Sequence, residues 1–173
     1  MSGFLSIHTA NRYHMKLQLY RERVLVFLTH KIGMPYFRMV RKPLDFRYSL
    51  AVLESLPPDT VGRGLFDFLQ QHHLELLPYY EKHDIKHIIL DYPPTEKGEV
   101  CLQCFMLANG RYTLPVLLTV LFGFCTMPEY WRDFGKALQR GYRNKSLQQV
   151  KWFDLLPFNM QLVRELLLQP SEI

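Results

Sequence analysis

The 173-residue sequence predicts an all-α chain folded as a single compact domain of about seven helices. Apolar residues recur at helical spacing in segment after segment, the breaks between segments are prolines and Asn-Gly or Gly-rich turns, and little of the chain alternates with a period of two. At 48% apolar, with nine glycines, eleven prolines and no internal repeat, it has enough apolar surface for one core and no fibrous or disordered signature.

The first helix is marked by Tyr13, Leu17, Tyr20, Val24, Phe27 and Leu28, one apolar stripe with Lys16, Arg21, Glu22 and Arg23 off it. Gly33, Met34 and Pro35 break it, and the arginine-rich stretch to Arg47 reads as a loop or short helix. A proline turn at Leu56-Pro57-Pro58 leads to Asp59 or Thr60 as an N-cap and a helix burying Leu65, Phe68 and Leu69. Gly62 and Gly64 in its first turn cost helix propensity, which predicts close approach of another backbone. Pro78 opens a helix from Tyr79 to Leu90, stopped by Asp91-Tyr92-Pro93-Pro94. Thr95 then caps a helix from Glu96 to Leu107 that closes at Asn109-Gly110. Helices over Leu114 to Phe124, Pro128 to Arg140 and Phe158 to Leu168 complete the chain, with Lys151-Trp152-Phe153 the one stretch that reads as extended.

Charge is uneven. Residues 1–48 hold nine Lys/Arg against Glu22 and Asp45, a net of +7, so the rest of the +5 chain nets −2. A basic third interleaved with aromatics faces either nucleic acid, an anionic membrane surface, or simply water as a solvated helix face. Trp131, Trp152, Tyr79 and Tyr80 read as core or rim aromatics, not a stacking platform, so no nucleic-acid partner is expected. Three cysteines, an odd count, and first residues without a secretory profile predict a reducing, cytoplasmic-type compartment. The longest apolar stretch, Leu114 to Met127, falls short of the ~20 residues a spanning helix needs.

The chemistry concentrates at His83, Asp84, His87 and Glu99. Histidines at i and i+4 share a helix face, about 5–6 Å apart at Cβ, and both imidazoles reach one ion. Asp84 borders that face, as a ligand or as an orienter of an imidazole. Glu99 lies across the Pro-Pro turn, and a tight helical hairpin returns it over the pair. Two imidazoles with two carboxylates suit a divalent metal, zinc first, with iron, cobalt or manganese as alternatives. Exposed or capped histidines are the bland reading. A zinc peptidase would need Glu where Asp84 stands, and a phosphohydrolase of the HD class would need distant ligands for which His72 and His73 are the only upstream source. Cys101 and Cys104, at i and i+3 with no second pair, read as core.

The string His83-Asp84-x-x-His87, with Glu99 after eleven further residues, resembles the Coq-four family of ubiquinone (coenzyme Q) biosynthesis proteins. Leu56-Pro57, Gly62-Arg63 and Phe68-Leu69 upstream fit it, as do Ala137 to Gly141 with Asn144, Trp152-Phe153, and Val163-Arg164-Glu165-Leu166 downstream. The likeness covers residues 50–168, with residues 1–48 a basic N-terminal region that matches more loosely. It implies a helical fold, often dimeric, and a metal on His83, Asp84, His87 and Glu99, which would be the catalytic group. It further implies isoprenoid binding, association with the inner face of a membrane and with other quinone biosynthesis enzymes, and oxidative decarboxylation of a prenylated hydroxybenzoate. A non-catalytic prenyl-lipid-binding scaffold and a metal-dependent hydrolase are the alternatives. Lys86 and Asp91 depart from the family pattern; Lys86 is expected to face solvent or to pair with Glu81, Glu96 or a substrate carboxylate. Without a mitochondrial-type extension the expected setting is bacterial, peripheral on the inner face of the cytoplasmic membrane.

Overall fold

A computed structural model describes residues 46–78 and 80–170, together with Tyr20, Arg21, Arg23, Val24 and Met39. Among the described residues there are seven α-helices and no strand: α1 Leu50–Ser55, α2 Val61–Gln71, α3 Glu81–Leu90, α4 Glu96–Ala108, α5 Leu114–Thr126, α6 Trp131–Arg143 and α7 Met160–Leu167. The all-α expectation therefore holds. The stripe expected over residues 13–28 lies mostly outside the described residues, although Tyr20, Arg21, Arg23 and Val24 are helical.

Local signals start the helices where they were read. Thr60 accepts from the Arg63 N–H at 3.2 Å and Thr95 from the Gly98 N–H at 3.1 Å, each satisfying one orphan donor of a first turn. Asn159 does the same for Leu162 at α7. Asp91 ends α3 in the left-handed region, at φ 60°, and the prolines behind it prevent continuation. Gly62 is pressed where predicted: its N–H donates to the Leu156 carbonyl at 2.8 Å, and a Cβ there would stand 3.0 Å from that oxygen.

Two readings are corrected. Trp152 to Leu155 forms a 3₁₀ turn, not an extended segment, because Trp152 is buried in the core and the chain must wrap around it. Of the alternatives for Lys86, the solvent-facing one falls: it is 6% exposed, with its Nζ 5.3 Å from the Trp152 ring centroid, so its charge also lies against an aromatic face.

The core has two parts with α4 between them. Leu53, Leu65, Ile85, Ile89, Leu102, Phe105, Trp152 and Leu156 fill the space among α1, α2, α3 and α7. Val100, Cys101, Cys104, Met127, Phe134 and Ala137 fill the space among α4, α5 and α6. Burial pushes the Cys101 thiol up to about 11 and Cys104 up to about 12, the values of inert core thiols. Among the described residues no single helix is long and apolar enough to cross a membrane.

Among the described helices α4 and α6 share the most extensive contact, and it is close. A Cβ on Gly141 would run into the backbone carbonyl of Phe105, which has no rotamer with which to yield. Gly141→Ala is therefore expected to destabilise the chain by about 1–3 kcal/mol, read as a lowered urea midpoint at unchanged slope.

Candidate metal centre

Helix α3 is buried on almost every side. Ile85, Ile88, Ile89 and Leu90 face the core, yet Glu81, Asp84, Lys86 and His87 are buried as well. Buried polar groups need partners, and those of His87 come from the turn and helix that follow. Its Nδ1 lies 2.8 Å from the Tyr92 carbonyl and its Nε2 3.0 Å from Glu99 Oε2. His83 stands one turn earlier, its Nε2 2.9 Å from Glu99 Oε1 and its Nδ1 3.4 Å from Asp84 Oδ1.

His83, His87 and Glu99 are thus brought together as expected, with one ligand atom from each lying within 4.8 Å of the others, a group that could hold a metal ion. Asp84 stands outside this group, at the outer edge of the His83 ring. A carbonyl oxygen only accepts, so His87 Nδ1 must donate to Tyr92. That fixes the tautomer and turns the Nε2 lone pair toward the Glu99 carboxylate, an arrangement that requires a proton or a cation between them. The donor set therefore fits a divalent ion: two imidazole nitrogens and a carboxylate, one imidazole anchored from behind by a backbone carbonyl.

The electrostatics agree. Burial works against charging His83, but the Glu99 charge and the hydrogen bonds to Asp84 and Glu99 outweigh it, pushing its pKa from 6.5 up to about 10. Burial alone would raise Glu99, yet the two imidazoles hold it well below the usual carboxylate range. In the metal-free chain, His83 therefore contributes stability that is complete below pH 6.5 and is lost as pH rises toward 10. A metal must displace that proton. The apparent dissociation constant for Co²⁺ is accordingly expected to fall at least about tenfold per pH unit between 6 and 9, with proton release measurable by calorimetry in buffers of different ionisation enthalpy.

Several supporting groups escape a reading of spacing alone. Gln103 Nε2 donates to Glu99 Oε1 at 2.9 Å, one turn along α4. The Phe68 ring stacks on His87, with centroids 5.8 Å apart, and Tyr80 meets His83 edge-on at 5.7 Å. Arg140 donates to the Leu90 carbonyl at 2.7 Å and Arg164 to the Ile88 carbonyl, so α6 and α7 hold the C-terminus of the histidine helix. The i, i+4 relation of Glu99 and Gln103 was visible in the sequence; the arginine caps and the Tyr92 carbonyl depend on tertiary placement.

Residues 76–170, which include all four expected ligands, match the family described as coenzyme Q (ubiquinone) biosynthesis protein Coq4. The chain is similar to the ubiquinone biosynthesis protein coq-4, mitochondrial, of Neurospora crassa, 28% identical over 168 residues, covering 83% of this chain and 48% of that protein. It is also similar to the ubiquinone biosynthesis protein COQ4 homolog, mitochondrial, of Drosophila melanogaster, 28% identical over 138 residues, with 66% and 50% covered. The chain spans about half the length of the curated relatives it matches. A crystal structure of a protein from Nostoc punctiforme PCC 73102, assigned by name alone to ubiquinone biosynthesis, shares the fold, with a TM-score of 0.55 at 22% identity, over 85% of this chain and 80% of that one. The curated relatives are mitochondrial, which overturns the expectation of a bacterial protein on the inner face of the cytoplasmic membrane. That expectation rested on the first residues of the chain, and they carry no such information in a sequence that spans about half the length of the relatives it matches.

Proposed function

The chain belongs to the Coq4 family of coenzyme Q (ubiquinone) biosynthesis proteins, and from this premise we propose that it binds a divalent metal on His83, His87 and Glu99 and removes the carboxyl group of a prenylated hydroxybenzoate precursor by oxidative decarboxylation. Zinc suits the donor set best, ahead of iron, cobalt or manganese. The observation that carries the reading is the inward-facing pair of His87 Nε2 and Glu99 Oε2 at 3.0 Å, with the other His87 nitrogen committed to the Tyr92 carbonyl.

When bound, the metal supplies a Lewis acid for the substrate carboxylate or phenolate. The chain's own residues arrange the rest. His83 and His87 are the neutral ligands and Glu99 offsets one positive charge, its Oε1 steadied by Gln103. Asp84 holds His83 from its Nδ1 side and acts as its acceptor. Phe68 and Tyr80 flank the imidazoles, and His87 is only 2% exposed, so water reaches the centre from the His83 and Glu99 side. Leu114, Leu117 and Leu121 on α5, all substantially exposed, offer an apolar surface for the isoprenoid tail. That surface also favours a second reading, a prenyl-lipid-binding scaffold with a structural metal.

Replacing carboxyl by hydroxyl is a two-electron oxidation, balanced when dioxygen is reduced to hydrogen peroxide and water makes up the remaining oxygen, so the test supplies dioxygen to the metal-loaded chain with a prenylated 4-hydroxybenzoate labelled at the carboxyl carbon. Labelled carbon dioxide is expected, and its release should stop with Glu99→Gln. Binding of the substrate without release of the label, by folded and metal-loaded chain, would establish the scaffold reading instead.

A further inference from the structure

The outer side of α6 presents two large aromatic side chains about one exposed glycine. Trp131, Gly135, Leu138 and Tyr142 follow at i, i+4, i+7 and i+11, one stripe about 16 Å long. Trp131 is 52% exposed and Tyr142 72%, large aromatics at both ends of the stripe. Trp131 is not loose: its Nε1 donates to the Phe124 carbonyl at 2.9 Å and its ring packs on Phe124. Its polar atom is satisfied inward and its ring is presented outward in one position, as suits a preorganised anchor.

Between the two aromatics sits Gly135, exposed in the middle of a 13-residue helix. Glycine is unfavourable there relative to alanine. Nothing within the described chain requires it, since a Cβ at Gly135 would have no described heavy atom within 4 Å. A glycine at such a position opens a notch for close approach from outside. Beside the stripe run Arg132 and Lys136, both exposed, with Gln139 in line. The neighbouring acid, Asp133, is held by Lys97 at 2.8 Å.

We propose that the outer face of α6 is a docking site for an acidic amphipathic helix of a second protein. Small side chains of that helix seat at Gly135 between Trp131 and Tyr142, and its carboxylates lie along Arg132 and Lys136. Charge complementarity selects this occupant. A second copy of the chain would set the same cationic row against itself, and residues 1–48, at net +7, would be repelled. A bilayer could meet the cations but has no shaped backbone to fill a missing side chain.

The test uses the full chain and a synthetic amphipathic peptide with alanines on one face and glutamates along its edge, a counterpart with lysines for the glutamates, and phosphatidylserine vesicles. Trp152 is 3% exposed, so a blue shift in tryptophan fluorescence reports Trp131. The acidic peptide is expected to bind with that shift, more weakly as salt rises, and the lysine peptide not to bind. Gly135→Leu and Lys136→Glu should each weaken binding by about tenfold or more at unchanged circular dichroism, whereas Gly135→Ala should raise the melting temperature. Absence of acidic-peptide binding, or equal affinity in Gly135→Leu, would overturn the proposal. A Trp131 shift with vesicles and none with the peptide would overturn it in favour of a membrane surface.

Discussion

Glu99→Gln is expected to lower metal affinity by more than about 100-fold, beyond the 10–100-fold that loss of an outer partner costs. Glu99 brings the one negative charge of the three-atom group and faces both imidazoles, Oε1 to His83 and Oε2 to His87. Glutamine fills the same volume and retains an acceptor for Gln103, so the fold should survive while the charge that offsets the ion is gone. Asp84→Asn provides the contrast. Asp84 sits at the outer edge of His83, so its loss should cost about tenfold. An Asp84→Asn penalty equal to that of Glu99→Gln would make Asp84 a direct ligand. Metal content after dialysis and Co²⁺ titration by calorimetry measure both effects.

Asn109→Ala should produce the largest loss of stability from a polar residue, about 3–5 kcal/mol. The side chain is 6% exposed and ties four backbone groups. Its Nδ2 donates to the carbonyls of Gly141, Asn144 and Lys145 at 3.1–3.2 Å, and its Oδ1 accepts from the Leu147 N–H at 2.8 Å. Lys145 retains a second donor in Asn144 Nδ2, which leaves three buried groups unsatisfied at roughly 1–3 kcal/mol each before water relaxes them. Asn109→Asp keeps the acceptor for Leu147 but turns a second oxygen toward three carbonyls, so it should be at least as destabilising. Urea unfolding followed by circular dichroism gives the values. The loop pinned by Asn109 links α6 to the Trp152 turn, so metal affinity should fall less than stability.

Much of this arrangement was legible in the sequence because its determinants are local. Helix starts follow from Thr60, Thr95 and Asn159 oxygens meeting amides three residues on, and stops follow from Pro93-Pro94 and Gly110. The grouping of His83, His87 and Glu99 was legible because i, i+4 spacing on one helix and a short hairpin to the next leave the side chains little choice of direction. Non-local contacts were not legible. Trp152 looked like strand because aromatic runs favour pleated surfaces, but its burial against Lys86 and the core decides otherwise. Lys86 was expected to face solvent or to pair with an acid, and only tertiary structure places an indole beside it. Asn109 read merely as a helix terminator, since its partners lie more than 30 residues away. The arginines at 140 and 164, which hold carbonyls of the histidine helix, carry no local mark of that task.

The central claim, a divalent metal held by His83, His87 and Glu99, is tested most directly by elemental analysis of the metal-stripped chain after reloading with Zn²⁺ and exhaustive dialysis, beside His83→Ala and Glu99→Gln. One equivalent of zinc in the parent chain, with neither variant retaining it while both stay folded, is the predicted result. No retained zinc in the parent, or a full equivalent in both variants, would contradict it.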